Sequence, residues 1–471
     1  MKIAFCSSEM VPFVKTGGLA DVSGSLPLAL QKLGVEVYLF LPRYKYIDYE
    51  VHHIKRIDDH ISQGFLGKNI KVYLVENKEF FLRDGLYGDA LGDYRDNLGR
   101  FHFFCIHILE ALKRLNIVVD ILHCHDWQTA LIPVYLKERY CVDPFFKNMK
   151  SVLTIHNLAF QGVFPQDQAH SLGLNPRLFS LGGPFEFFNQ INLLKAGILY
   201  SDKVSTVSPR YAQEIKTKAL GCGLDDVIKN LNSDVHGILN GIDYEVWNPQ
   251  KDPIIFQKYG KDNFKEKKII NKNHLQKKMG FDIADCPLFG MVSRLSHQKG
   301  IDLILDVWEA IAEKECQLII QGVGDSRYED RLKKMAKTHS GKIVFLQNFD
   351  EKMAHQIYAG ADLFLMPSRF EPCGLSQMIS MRYGTIPIVF RTGGLMDTSI
   401  AFKGPAVGDS NGFGFNDYTQ EAFSEVIEQA IKTFHNKKTF QGLVENAFKA
   451  DFRWDRSALE YKKMYECVLS A

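Results

Sequence analysis

The sequence predicts an α/β protein of two doubly wound domains, on three observations. The chain has 471 residues, whereas a single hydrophobic core usually stops growing at roughly 250–300. Short, nearly continuous apolar runs alternate with helix-like stretches, the pattern of parallel strands buried on both faces. The series of runs breaks off near residue 243 and then restarts. Residues 1–243 are therefore expected to form one α/β domain and 244–453 a second. The amphipathic tail 454–471 reads as a closing helix that packs back on the first domain.

In the first series the apolar runs are Lys2–Ser7, Val35–Leu41, Asp120–His123, Ser151–Ile155, Lys203–Val207 and His236–Leu239. Ile242–Pro249 reads as a linker, followed by a polar, Lys-rich stretch from Lys251 to about Gly280. The second series comprises Leu288–Val292, Gln317–Gln321, Lys342–Leu346, Ala361–Met366 and Ile386–Phe390.

Composition excludes several function classes. The net charge of +2 gives no field that would select nucleic acid or a membrane surface. No uninterrupted apolar run is long enough to span a bilayer. The apolar start of the chain is short and is followed at once by Glu9, unlike a signal peptide. The 9 cysteines are scattered without metal-knuckle or redox spacing, which points to reduced thiols and a cytoplasmic protein.

In doubly wound sheets, ligands sit beyond the carboxyl ends of the strands, and the polar motifs fall there. After the first run comes Lys15-Thr16-Gly17-Gly18-Leu19-Ala20-Asp21, leading into a helix expected from Leu19 towards Lys32. Paired glycines bring backbone amides close to an anion, a helix N-terminus adds partial positive charge, and Lys15 adds a full one. Three further strand ends carry His with polar partners, His123-Cys124-His125-Asp126-Trp127-Gln128, Thr154-Ile155-His156-Asn157 and His236-Gly237-Ile238-Leu239-Asn240-Gly241-Ile242-Asp243, suited to a shared pocket for sugar hydroxyls. No metal set is completed by them.

The second domain opens with Ser293-Arg294-Leu295-Ser296-His297-Gln298-Lys299-Gly300. Arg294 and Lys299 are spaced to clamp a diphosphate, one as a fork and the other as a point charge. Gly322-Val323-Gly324 reads as a tight turn near a nucleotide and falls short of a dinucleotide fingerprint. The densest stretch is Ser368-Arg369-Phe370-Glu371-Pro372-Cys373-Gly374-Leu375-Ser376-Gln377, with a helix starting after Gly374. Glu371 beside phosphate-binding amides has a place there as a ligand of sugar hydroxyls. Arg391-Thr392-Gly393-Gly394-Leu395 echoes the Lys15–Leu19 pentapeptide. There is no Asp-x-Asp, so a metal-bridged diphosphate has no obvious ligand pair.

Taken in order, these motifs resemble bacterial glycogen synthases and the related starch synthases over essentially the whole chain. The resemblance implies two facing Rossmann-like domains of the GT-B type, an acceptor-side first domain and a nucleotide-sugar-binding second one. It implies retaining transfer of glucose from ADP-glucose to the non-reducing end of an α-1,4-glucan such as glycogen, with no metal or other cofactor. Lys15, Arg294 and Lys299 would then neutralise the diphosphate, and Gly18, Gly374 and Leu375 would offer amides. Glu371 and His156 would contact the transferred glucose, Asp126 and Asn240 would line its pocket, Asp21 would lie on the nucleotide side, and Tyr358 would stack near the adenine. Cys373 falls among the donor-binding positions.

The chain departs from the family pattern at Gln128, commonly His, and at Ser376, commonly Thr. Ile379 stands where a broader transferase group carries a second Glu, which separates the chain from that group. Three alternatives are weighed: a sugar-nucleotide epimerase, a phosphorylase, which would need pyridoxal phosphate, and a non-catalytic glucan-binding protein, which would have no use for the cationic loops.

Overall fold

The computed structural model describes residues 1–89, 92–231 and 234–470. The chain divides into two compact units, one formed by the first 241 residues with the C-terminal helix Trp454–Ser470, the other by Ile242–Arg453. Among the described residues no helix is long and apolar enough to cross a membrane.

In the first unit nine strands are named: β1 Lys2–Cys6, β2 Glu36–Pro42, β3 Lys55–Arg56, β4 Ile61–Leu66, β5 Ile70–Val75, β6 Ile121–His125, β7 Lys150–Ile155, β8 Lys203–Thr206 and β9 His236–Gly237. They form one sheet in the order β9-β8-β7-β6-β1-β2-β5-β4-β3. From β9 to β5 every pairing is parallel; β4 and β3 extend the edge antiparallel. That edge escaped the sequence reading because Ile61-Ser62-Gln63-Gly64 is not a continuous apolar run. The run expected over His236–Leu239 contributes only two strand residues, β9. The chain adds β2 and β5 on one side of β1 and β6, β7 and β8 on the other, so the topological switch lies between β1 and β6. Phe5 of β1 stands level with Leu39 and His123, which brings the carboxyl ends of β1 and β6 together.

Helix α1 (Gly18–Lys32) follows β1 and buries Leu19, Val22, Leu26 and Leu30 in the core. The C-terminal helix adds Trp454, Ala458, Tyr461 and Tyr465 to the same core. Its buried Tyr465 hydroxyl is hydrogen-bonded to Nδ1 of His123 on β6, at 2.8 Å.

The second unit carries a six-stranded, all-parallel sheet: β10 Leu288–Val292, β11 Gln317–Gln321, β12 Ile343–Leu346, β13 Leu363–Met366, β14 Ile386–Phe390 and β15 Phe413–Phe415. The order β12-β11-β10-β13-β14-β15 puts its switch between β10 and β13. The short β15, Phe-Gly-Phe, was invisible to apolar-run reading.

The Lys-rich stretch before β10 is a helix, α2 (Phe264–Lys278), and two of its lysines are buried. Lys268 donates to the carbonyls of Tyr358, Ala359 and Tyr383 and to the Thr385 hydroxyl. It thereby ties off the last carbonyls of α3 (Glu351–Gly360) and the end of α4 (Ser376–Arg382), as α-helix C-termini require. Burial pushes its ammonium down to about 7. Lys272 pairs with Asp362 at 2.6 Å and donates to the Cys286 carbonyl at 2.6 Å. Asp362 in turn accepts from the Leu288 amide at the start of β10.

Removing one partner of a buried pair strands the other charge. Lys272→Met is expected to lower unfolding free energy by about 3–5 kcal/mol, read as a lower urea midpoint; an unchanged midpoint would contradict this account of α2.

Candidate active site

Both switch points collect the polar loops that the sequence singled out. In the first unit, β6 ends in His125 and the chain turns at Asp126, whose φ of +56° and ψ of −170° are unusual for a residue with a side chain. Two hydrogen bonds hold it there: its amide donates to the Thr154 carbonyl at 3.0 Å, and its Oδ1 accepts from the His156 amide at 2.6 Å. Strained backbone of this kind persists where surroundings over-determine it, and it clusters at functional sites. Burial raises the Asp126 carboxyl to about 7, against the lowering effect of the His156 and Asn157 amides.

The histidines form a neutral group, His123 and His125 buried and His156 half-buried. Nδ1 of His125 and Nε2 of His156 are 2.9 Å apart, and His123 bonds Thr154 through Nε2. Burial pushes His123 and His156 down to about 3 and His125 well below its ordinary value. Nε2 of His125 and Oδ1 of Asn240 are buried without a partner among the described residues. Neutral rings and an open amide oxygen suit sugar hydroxyls, which both donate and accept.

The Lys15 loop differs from a bare anion cradle. Lys15 is ion-paired with Asp21 at 2.7 Å, both partly exposed. Such a surface pair is worth only about 0–1 kcal/mol, little enough for an anionic ligand to displace. The amides of Thr16 and Gly17 are already engaged: they donate to Oε2 of the buried Glu9 at 2.6 and 3.0 Å. The amide of Gly18, at the start of α1, has no partner among the described residues. The sequence reading assigned no site role to Glu9; its place just past β1, at the switch strand, was the signal available.

In the second unit the loop after β10 and the loop after β13 are bound to each other. The Arg369 amide donates to the Gln298 carbonyl, and the Gln298 side chain donates to the Phe370 carbonyl. Gly300, at φ +70°, lies so close to Pro367 that a Cβ would come within 2.1 Å of its carbonyl oxygen. Across this junction Lys299 Nζ meets Oε2 of Glu371 at 2.5 Å, with side-chain exposures of 18% and 8%. The Ser368 hydroxyl donates to the same oxygen at 2.9 Å. Oε1 of Glu371 has no partner among the described residues, nor have the amides of Gly374 and Leu375. Gly374 takes φ +72°, and Cys373 beside it is buried. Arg294 is exposed, and its guanidinium makes no hydrogen bond or ion pair among the described residues, while its carbonyl accepts from the Ser293 hydroxyl at 3.1 Å.

One expectation gains a partner and others are corrected. Lys299 and Glu371, read separately as diphosphate and sugar ligands, are one ion pair. The Lys15-like echo at Arg391–Leu395 is a packing device: a Cβ on Gly393 would lie 2.0 Å from the Glu371 carbonyl oxygen, and one on Gly394 would lie 2.2 Å from that of Cys373. Gly17, by contrast, faces open space. Gly322 and Gly324 likewise allow close approach to the carbonyls of Ser293 and Leu295, bracing the Arg294 loop. Tyr358 is 3% exposed, with its ring stacked on Phe364 and against the edge of Trp247, so it offers no open face for adenine. Asp21 faces Lys15 rather than standing clear for a nucleotide.

Comparison with known proteins agrees with this layout. A family model described as the starch synthase catalytic domain matches residues 2–230, and one described as glycosyl transferases group 1 matches 263–449. The chain is 43% identical to the glycogen synthase of Geotalea daltonii, over 100% of this chain and 99% of that protein. It is 41% identical to the glycogen synthase of Bacillus cereus, over the full length of both. Among solved structures it is similar to the catalytic domain of starch synthase IV from Arabidopsis thaliana bound to ADP and acarbose, with TM-score 0.92 and 31% identity over 100% of this chain and 99% of that one. The fold class is that of the GT-B glycosyltransferases.

Asp126 gives the site a pH signature. Its folded pKa lies above the unfolded value of about 3.9, so between roughly pH 4 and 7 the folded state keeps a proton that the unfolded chain has lost. Stability from this group is complete below that window and is lost as pH rises through about 7. Asp126→Asn should flatten this fall in urea midpoints measured across the window; an identical pH dependence in both proteins would contradict the assignment.

Proposed function

This chain belongs to the glycogen synthase family, and we propose that it takes glucose from ADP-glucose and adds it, with retention of configuration, to the non-reducing end of an α-1,4-glucan. The coarser statement stands on the family alone: it is a glycosyltransferase of glycogen and starch synthesis, with a nucleotide sugar and a glucan as substrates. The adenine nucleotide is supported by the starch synthase IV relative, which was bound to ADP. Membership sets aside the epimerase, phosphorylase and binding-protein readings. A cytoplasmic location fits the free cysteines and the soluble substrates.

The observation that carries the residue-level reading is the Lys299–Glu371 junction with unpartnered groups around it. In this reading the glycosidic C1–O bond breaks with its electron pair passing to the diphosphate, the 4-hydroxyl oxygen at the glucan's non-reducing end bonds to C1, and the proton it loses passes to the leaving diphosphate oxygen. Charge growing on that leaving group is met in the second unit by Arg294, Lys299 and the amides of Gly374 and Leu375; in the first unit Lys15 and the Gly18 amide are assigned to the diphosphate by the family resemblance. Donors already aimed at such a group stabilise the transition state more than the ground state, and no metal is called for. Glu371 is assigned to sugar hydroxyls through Oε1, since Oε2 is engaged by Lys299 and Ser368. Asp126, His156 and Asn240 receive the glucosyl hydroxyls as neutral or near-neutral partners.

Arg294→Ala and Lys15→Ala are each expected to lower kcat on the order of 100-fold, measured as labelled glucose transferred to glycogen at saturating ADP-glucose. Near-normal turnover in both would remove the diphosphate assignment, and transfer from UDP-glucose alone would overturn the choice of donor.

A further inference from the structure

We propose that Glu9 is a positioning residue, whose carboxylate sets the conformation of the Lys15 loop for catalysis; the proposal rests on the reading of that loop as a diphosphate ligand. Glu9 is 4% exposed and lies three residues past the end of β1, the switch strand. Its two oxygens receive four hydrogen bonds. Oε2 accepts from the amides of Thr16 and Gly17, at 2.6 and 3.0 Å. Oε1 accepts from the Thr16 hydroxyl at 2.6 Å and from the Tyr87 hydroxyl at 2.7 Å. Three of the four donors belong to the two residues that follow Lys15.

The geometry matters because successive amides in a loop before a helix form an anion-binding nest. Glu9 fills the part of that nest made by Thr16 and Gly17. The next amide, that of Gly18, and the Lys15 ammonium are then what the loop offers to a ligand. A loop with two exposed residues, Lys15 and Thr16, and a glycine with no neighbour near its Cβ position has few other contacts to hold it. The Tyr87 hydroxyl, itself 2.8 Å from the Ser8 hydroxyl, locks the carboxylate from the far side. Burial raises the Tyr87 phenol well above its ordinary value, so it stays a hydroxyl able to donate.

The test compares Glu9→Ala with Glu9→Gln. Glutamine keeps one oxygen for the two amides, and its NH2 group faces two hydroxyls that can accept, so it preserves the arrangement that alanine abolishes. Glu9→Ala is expected to lose about 10- to 100-fold in kcat at saturating donor, with the KM for glycogen unchanged. Glu9→Gln should restore kcat to within about fivefold of the parent. Amide exchange at Thr16 and Gly17 should accelerate in Glu9→Ala and not in Glu9→Gln. The Glu9→Ala/Lys15→Ala double variant should be no slower than Lys15→Ala alone. Glu9→Asp, which keeps the charge but withdraws it by one methylene, is read by the same measures should the alanine variant not fold. Unchanged exchange overturns the proposal. So does kcat within twofold of the parent in Glu9→Ala while Lys15→Ala is strongly impaired. Normal turnover in Lys15→Ala is a different failure: it removes the diphosphate reading of the loop, and this proposal with it.

Discussion

The ion pair between Lys299 and Glu371 is the constraint on which the second unit's site depends. An ammonium and a carboxylate with side-chain exposures of 18% and 8% each carry a desolvation cost of about several kcal/mol, which only close pairing and further hydrogen bonds offset. Close pairing requires the loops after β10 and β13 to meet, and neighbouring features of the sequence serve that end. Gly300 lets one loop pass over the Pro367 carbonyl, Gly393 and Gly394 let a third loop support the backbone of Glu371 and Cys373, and Ser368 supplies the second donor to Oε2. What remains uncommitted is chemically coherent: one carboxylate oxygen, two amides and a guanidinium, groups of the kind that bind hydroxyls and phosphate oxygens.

The first unit solves a different problem by the opposite means. Its polar groups are buried without counter-charges, so they are neutral: three imidazoles with lowered pKa values and a carboxyl raised to about 7. Neutral groups can read hydroxyls, while the charge of Lys15 is paired with Asp21 on its own loop. The C-terminal helix takes part in this arrangement, since Tyr465 fixes the ring of His123, which packs against that of His125.

Much of this was legible in the sequence, for physical reasons that also mark where legibility ended. Strands β1, β10, β11 and β14 stand out because parallel strands buried on both faces must be apolar throughout. The antiparallel edge β4 and the three-residue β15 lack that signature. Glycine pairs have two uses, to free amides or to admit a neighbouring backbone, and a pentapeptide cannot tell them apart; Gly17 and Gly393 look alike in sequence and differ in this respect. Lysines in a polar stretch read as solvated, yet Lys268 and Lys272 are buried because carbonyls and Asp362 lie within reach only after folding. The motif residues Lys299 and Glu371 were each recognised by type, but their pairing joins loops 72 positions apart and leaves no trace in local sequence.

If Lys299 and Glu371 act as one unit, removing either should disable the same step. A double-mutant cycle on kcat with Lys299→Gln and Glu371→Gln tests this most directly, using transfer of labelled glucose to glycogen at saturating donor. The account predicts that each single variant loses on the order of 100-fold and that the double variant falls no more than about tenfold below the worse single. A double variant whose loss equals the product of the two single losses would mean that the residues act independently, and would contradict the account.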